Sequence, residues 1–99
     1  MNIRYTPRAF IQLGEIIGYI SIHSPQGAKR VHARIQRAIE QLRDFPFSGV
    51  QTDDPDIRRI ATTPYPYLIF YEVTADDVVI HGIRHGARDP KNKQGRAWS

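Results

Sequence analysis

The sequence predicts an α+β domain of order β-α-α-β-β-β, a helix hairpin packed on a mainly antiparallel sheet. Three observations predict it. Two consecutive stretches in the first half carry apolar residues at helical spacing. Three stretches in the second half are dense in aromatic and β-branched residues. The links between those three are short, as in an antiparallel meander. Helices grouped in sequence before a run of strands cover one face of such a sheet.

Residues 2–5 form a short strand with Ile3 and Tyr5 on one face. Thr6-Pro7 then reads as an N-cap followed by proline at the first helical position. Ala9, Phe10, Leu13, Ile16, Ile17 and Ile20 recur at helical spacing and place a first helix at 7–22. Gly14 and Gly18 stand beside that stripe, where they allow another backbone to approach closely. Ser24-Pro25 repeats the start signal, and Ala28, Val31, Ile35, Ala38, Ile39 and Leu42 place a second helix at 25–44. Arg30, Arg34 and Arg37 share its other face. Pro46 forbids its continuation.

Residues 46–56 read as a loop rich in proline, glycine and aspartate. Strands follow at 57–62, 66–73 and 78–84, with Asp76-Asp77 suited to a turn. The stretch 66–73 is apolar on both faces, which predicts a central strand. Residues 91–99 are a basic tail ending near Trp98, so a single domain spans 1–90.

The chain has 99 residues, enough for one modest core. Its 40% hydrophobic and 24% charged content fits a globular protein rather than a disordered one. The absence of cysteine excludes disulfides, a thiol nucleophile and thiolate metal sites. No apolar run reaches the roughly 20 residues of a membrane span, and a secretory leader is not visible, so a cytoplasmic setting is expected. The net charge is +4, and arginine supplies most of the 14 cations. Such a surface suits nucleic acid or an acidic protein, or serves solubility alone. His23 and His32 are isolated, and His81 and His85 have no carboxylate pair near them in sequence, so no metal site is expected. No glycine-rich phosphate loop is present, and no cofactor is expected.

One ordered set of residues runs through the chain: Tyr5, Ala9, Leu13 and Tyr19-Ile20, then Ser24-Pro25 with Ala28, Ile35, Ile39 and Leu42. Phe45-Pro46 with Gly49, Arg59-Ile60, the run Tyr65 to Tyr71, Val79-Ile80 and the run Ile83 to Pro90 complete it. This set resembles the RelE/ParE superfamily of toxins from bacterial type II toxin–antitoxin systems, and more closely its ParE branch. The resemblance implies the same β-α-α-β-β-β fold. It implies a cognate antitoxin, ParD-like or of another DNA-binding type, with operator DNA met only through that antitoxin. ParE-type members act on DNA gyrase; RelE-type members cleave messenger RNA on the ribosome. One scaffold hosts both, so fold alone does not choose.

RNA cleavage by 2′-hydroxyl attack needs a proton acceptor, cations at phosphorus and an acid for the leaving oxygen. RelE-type members resemble one another in an arginine early in the strand that here spans 66–73, where this chain has Tyr67, and in a C-terminal tyrosine. Here the comparable stretch, His85 to Pro90, has no tyrosine. His85, Arg84 and Arg88 remain the catalytic candidates of the ribonuclease alternative. An inhibitor of gyrase needs only a binding surface, for which Arg84, His85, Arg88, Lys91 and Trp98 are the candidates. Tyr67, Tyr71 and Arg59 are the candidates for antitoxin contact, with Tyr67 and Tyr71 sharing one uncovered strand face. A third class is a decayed toxin that only binds its antitoxin.

Overall fold

A computed structural model describes residues 1–88. The elements are β1 (Asn2–Tyr5), α1 (Pro7–His23), α2 (Pro25–Gln41), β2 (Val50–Gln51), β3 (Arg58–Thr62), β4 (Tyr65–Val73) and β5 (Asp77–His85), followed by a 3₁₀ turn at Gly86–Arg88. The strands form one sheet in the order β1-β5-β4-β3-β2. β1 runs parallel to β5, and every other pair is antiparallel. This is the predicted fold class. β2 falls within the expected loop, because two exposed residues offer no period to detect.

The helix starts follow from local chemistry. The Thr6 hydroxyl accepts from the Ala9 amide at 3.1 Å, and Pro7 sits where no amide partner is needed. Ser24 serves both helices. Its backbone N–H donates to Ile20 O at 2.8 Å and ends α1, while its hydroxyl accepts from Gly27 N at 2.9 Å and begins α2. α2 stops at Gln41, earlier than the expected 44. Leu42, Arg43 and Asp44 bond back to Ile39, Glu40 and Gln41, a tightened final turn ahead of Pro46.

The helices pack on one face of the sheet around Leu13, Val31, Ile35, Ile39, Ile69 and Ile80, all buried. Ile57 and Phe70 form a smaller cluster with Leu68 on the other face. β4 is buried on both faces at Ile69, Phe70 and Tyr71, which makes it the central strand that its apolar run predicts.

α1 also finishes the edge of β5. β1 pairs with β5 only as far as Tyr5 and Ile80. Beyond that, Thr6 N donates to Ile80 O at 3.0 Å and the Gln12 carboxamide oxygen accepts from Ile83 N at 3.0 Å. β5 carries one additional residue there, because Phe70 lies opposite Gly82 while Tyr71 lies opposite Ile80. This β-bulge at His81 reverses the in–out alternation of everything after it.

Tyr71 fastens the loop after α2 to the sheet. Its fully buried hydroxyl donates to Pro46 O at 2.8 Å and accepts from Gly49 N at 2.9 Å. A Cβ at Gly49 would lie 2.8 Å from Arg59 O and press on the Tyr71 ring, so only glycine fits. Tyr71→Phe leaves a buried N–H and a buried C=O unsatisfied, and we expect it to lower unfolding free energy by about 1–3 kcal/mol in urea titration. Gly49→Ala is expected to cost more than Tyr71→Phe in the same titration, because backbone as well as side chain must move.

Burial pushes the Tyr71 phenol above the ordinary tyrosine value, against the lowering effects of the Gly49 hydrogen bond and Arg58. The neutral phenol is therefore favoured by folding. This contribution is complete below the unfolded tyrosine pKa of about 10 and is lost as pH rises through the higher folded value. Stability measured from pH 9 to 11 is expected to fall less steeply in Tyr71→Phe than in the wild type.

Candidate functional site

The structure separates residues that the sequence places side by side. Arg84 lies opposite Leu68, and its guanidinium sits 5.5 Å from the Phe70 ring centre, on the face away from the helices. His85 lies opposite Tyr67 and meets that ring edge-on at 5.6 Å, on the helix side. Consecutive strand residues point to opposite faces, so the Arg84–His85 pair does not converge on one point. The His85 Nδ1 is shielded from water and has no hydrogen-bond partner among the described residues. Arg88 ends the 3₁₀ turn. Lys91 and Trp98 lie outside the described residues.

Of the antitoxin candidates, Tyr67 is partly buried against the main core. Tyr71 is a correction: it is fully buried and both its hydrogen bonds are internal, so it offers no surface. Hydroxyl partners 22 and 25 residues away in the chain are invisible to strand alternation. Arg59 is partly exposed on β3 beside the edge strand.

The helix-free face holds a group that sequence reasoning missed. His81 and Glu72 are paired at 2.9 Å, each about one-third exposed. They line a cavity of about 340 Å³ with Thr6, Arg8, Asp54 and Asp56. The bulge aims His81 here; spacing along the chain carries no sign of it. No cluster of three or more metal-ligating side chains occurs among the described residues.

The strongest surface feature is the outer face of α1. Phe10, Ile11, Tyr19 and Ile22 are exposed, Ile22 by 78% and Phe10 by 68%. Phe10, expected in the buried stripe, lies outside it. Gly14 and Gly18 lie on the same face, and a Cβ at either would meet nothing within 4 Å. The expected close packing at these glycines is therefore not made among the described residues. Phe10, Leu13, Gly14 and Ile17 with His32 of α2 line a shallow, mostly apolar depression of about 230 Å³. A run of exposed apolar side chains with a depression at its flank, beside Phe10, is what a partner-binding surface requires.

The comparisons with known proteins agree with this architecture. A solved structure described as "Chromosomal ParDE TA system from P. aeruginosa" superposes with a TM-score of 0.75, covering 86% of this chain and 95% of that one, at 19% identity. "Putative toxin Y4kP" of Sinorhizobium fredii is 38% identical over 75 residues, 76% of this chain and 78% of that protein. "Toxin RelE2" of Caulobacter vibrioides is 36% identical over 87 residues, 88% of this chain and 97% of that protein. Residues 3–90 match the family described as "ParE toxin of type II toxin-antitoxin system, parDE". A family match across nearly the whole domain, on a matching fold, makes this chain a member of the ParE toxin family of type II toxin–antitoxin systems, within the RelE/ParE superfamily.

Proposed function

We propose that this toxin arrests growth by binding DNA gyrase in the cytoplasm, without catalysis of its own, and that a ParD-like DNA-binding antitoxin neutralises it. Operator DNA is then met only through the antitoxin. The observation that carries this reading is the division of Arg84 and His85 between opposite faces of the sheet. Phosphodiester cleavage needs an acid–base group and a cation at one phosphate. A binding surface tolerates their separation. The ParE family match over residues 3–90 supports the same choice, and no helix among the described residues is long and apolar enough to cross a membrane.

The antitoxin covers the outer face of α1 in this reading. That face has only Arg8 and Glu15 as charged residues, with His23 at its end, and its apolar side chains are left exposed by the described residues. The likeness to the solved ParDE system supports an antitoxin of the ParD type. One observation favours a second reading, ribosome-dependent cleavage of messenger RNA: a relative of 36% identity carries the name RelE2.

The deciding experiment is a paired assay on the toxin freed of antitoxin. Gyrase supercoiling of relaxed plasmid is expected to stop while cell-free translation continues. Translation arrest with gyrase unaffected, abolished by His85→Ala, would reverse the assignment. Phe10→Asp is expected to leave the fold within about 0.5 kcal/mol of wild type, because the side chain is exposed. The same substitution is expected to weaken antitoxin binding at least about tenfold in calorimetric titration, as loss of a buried apolar anchor does.

A further inference from the structure

The sheet is left open along part of its outer edge. β2 pairs with β3 only at Arg58 and Arg59, so Ile60, Ala61 and Thr62 have no strand beside them on that side among the described residues. A cavity of about 440 Å³ runs along this stretch and reaches round the edge to both faces of the sheet. Arg34 and Leu42 of α2 line it on the helix side. Arg59 lines it from the other face, since it stands opposite Phe70. Among the described residues the lining holds two guanidiniums and no carboxylate. Arg34 is pinned through its Nε, which donates to Thr63 O at 2.9 Å. Its Nη1 is shielded from water and has no hydrogen-bond partner among the described residues. A charged donor left in that state is unfavourable, and a small rotation of the guanidinium would present it to an incoming oxygen.

Resting on the antitoxin reading above, we propose that this edge accepts an extended acidic segment of the antitoxin as an added strand, with carboxylates at two adjacent positions. An unpaired strand edge is a template for main-chain pairing. Successive side chains of an added strand alternate between faces, so adjacent carboxylates reach Arg34 on the helix side and Arg59 on the opposite side. Each carboxylate matches the planar fork of arginine. Val50, exposed by 62% at the end of the cavity, receives an apolar neighbour. Single-stranded RNA fits less well, because none of the described residues that line the cavity offers an aromatic ring for a base to stack on.

The test uses a short capped peptide of valine and threonine with adjacent glutamate and aspartate at its centre. It is titrated into the isotope-labelled full chain, beside an analogue with the corresponding amides and a uridine oligonucleotide. Expected are saturable binding, resonance shifts centred on Ile60 to Thr62, and slower amide exchange there. Affinity is expected to fall about tenfold in Arg34→Gln, in Arg59→Gln and for the amide analogue, as loss of a charged hydrogen bond does. Arg34→Lys, which keeps charge and loses the fork, is expected to fall between. Equal binding of the amide analogue, shifts centred elsewhere, or preference for the oligonucleotide would overturn the proposal. Undiminished antitoxin affinity in the Arg34→Gln, Arg59→Gln double variant would overturn it while leaving the antitoxin reading in place. Failure of the whole antitoxin to bind wild type, with the peptide behaving as expected, would remove that reading and leave the acidic-strand site standing.

Discussion

The buried hydroxyl of Tyr71 is the fastening on which the outer half of the molecule depends. It joins the central strand to the loop that leaves the helix hairpin, through one bond donated to Pro46 and one accepted from Gly49. Arg58 strengthens the same junction from the next strand, donating to Gly49 O at 2.9 Å while its guanidinium sits over the Phe47 ring. Gly49 is consumed by this arrangement, since its neighbours leave no room for a side chain. Val50 and Gln51 follow at once as β2, so the length of the edge strand, and the stretch of β3 left open beyond it, trace back to where Tyr71 holds the loop.

A second constraint works at the opposite edge. β1 is only four residues long, and the chain turns directly into α1. Thr6 and Gln12 then meet backbone groups of β5 that a longer β1 would otherwise have met. The start of α1 is thereby tied to the sheet, and its outer face projects from a fixed position. A surface for a partner gains from such support, because little ordering remains to be done on binding.

Much of the fold was legible because its signals are local. Thr6-Pro7 and Ser24-Pro25 announce helix starts through caps that act within three residues. The apolar run from Tyr65 to Val73 announces a central strand. What stayed hidden depends on contacts remote in sequence. Tyr71 looked like a surface aromatic because its partners lie in another element. Gly14 and Gly18 looked like packing positions, and the structure leaves them facing outward, because a helix period shows which residues share a face but not what covers it. Arg34 read as one of three arginines sharing a helix face, and its Nε tie to Thr63, 29 residues away, left no mark in the sequence. Glu72 gave no signal at all, since its tie to His81 depends on an irregularity in strand pairing.

That irregularity bears on how one scaffold comes to host different chemistries. With His81 inserted, Ile80 and Ile83 both face the helices although three positions separate them. Loss of a single codon at the bulge would restore strict alternation and keep Arg84 and His85 on their present faces. Insertion of one codon between Ile83 and Arg84, taken up without a second bulge, would instead exchange the faces on which those two side chains emerge. The core residues before the bulge would keep their places. A change in gene length by one residue, with no change in residue types, would thus re-sort a guanidinium and an imidazole between the two sides of the sheet. In a lineage that carries this fold, such indels offer a shorter route between a surface that binds and a surface that reacts than stepwise substitution does.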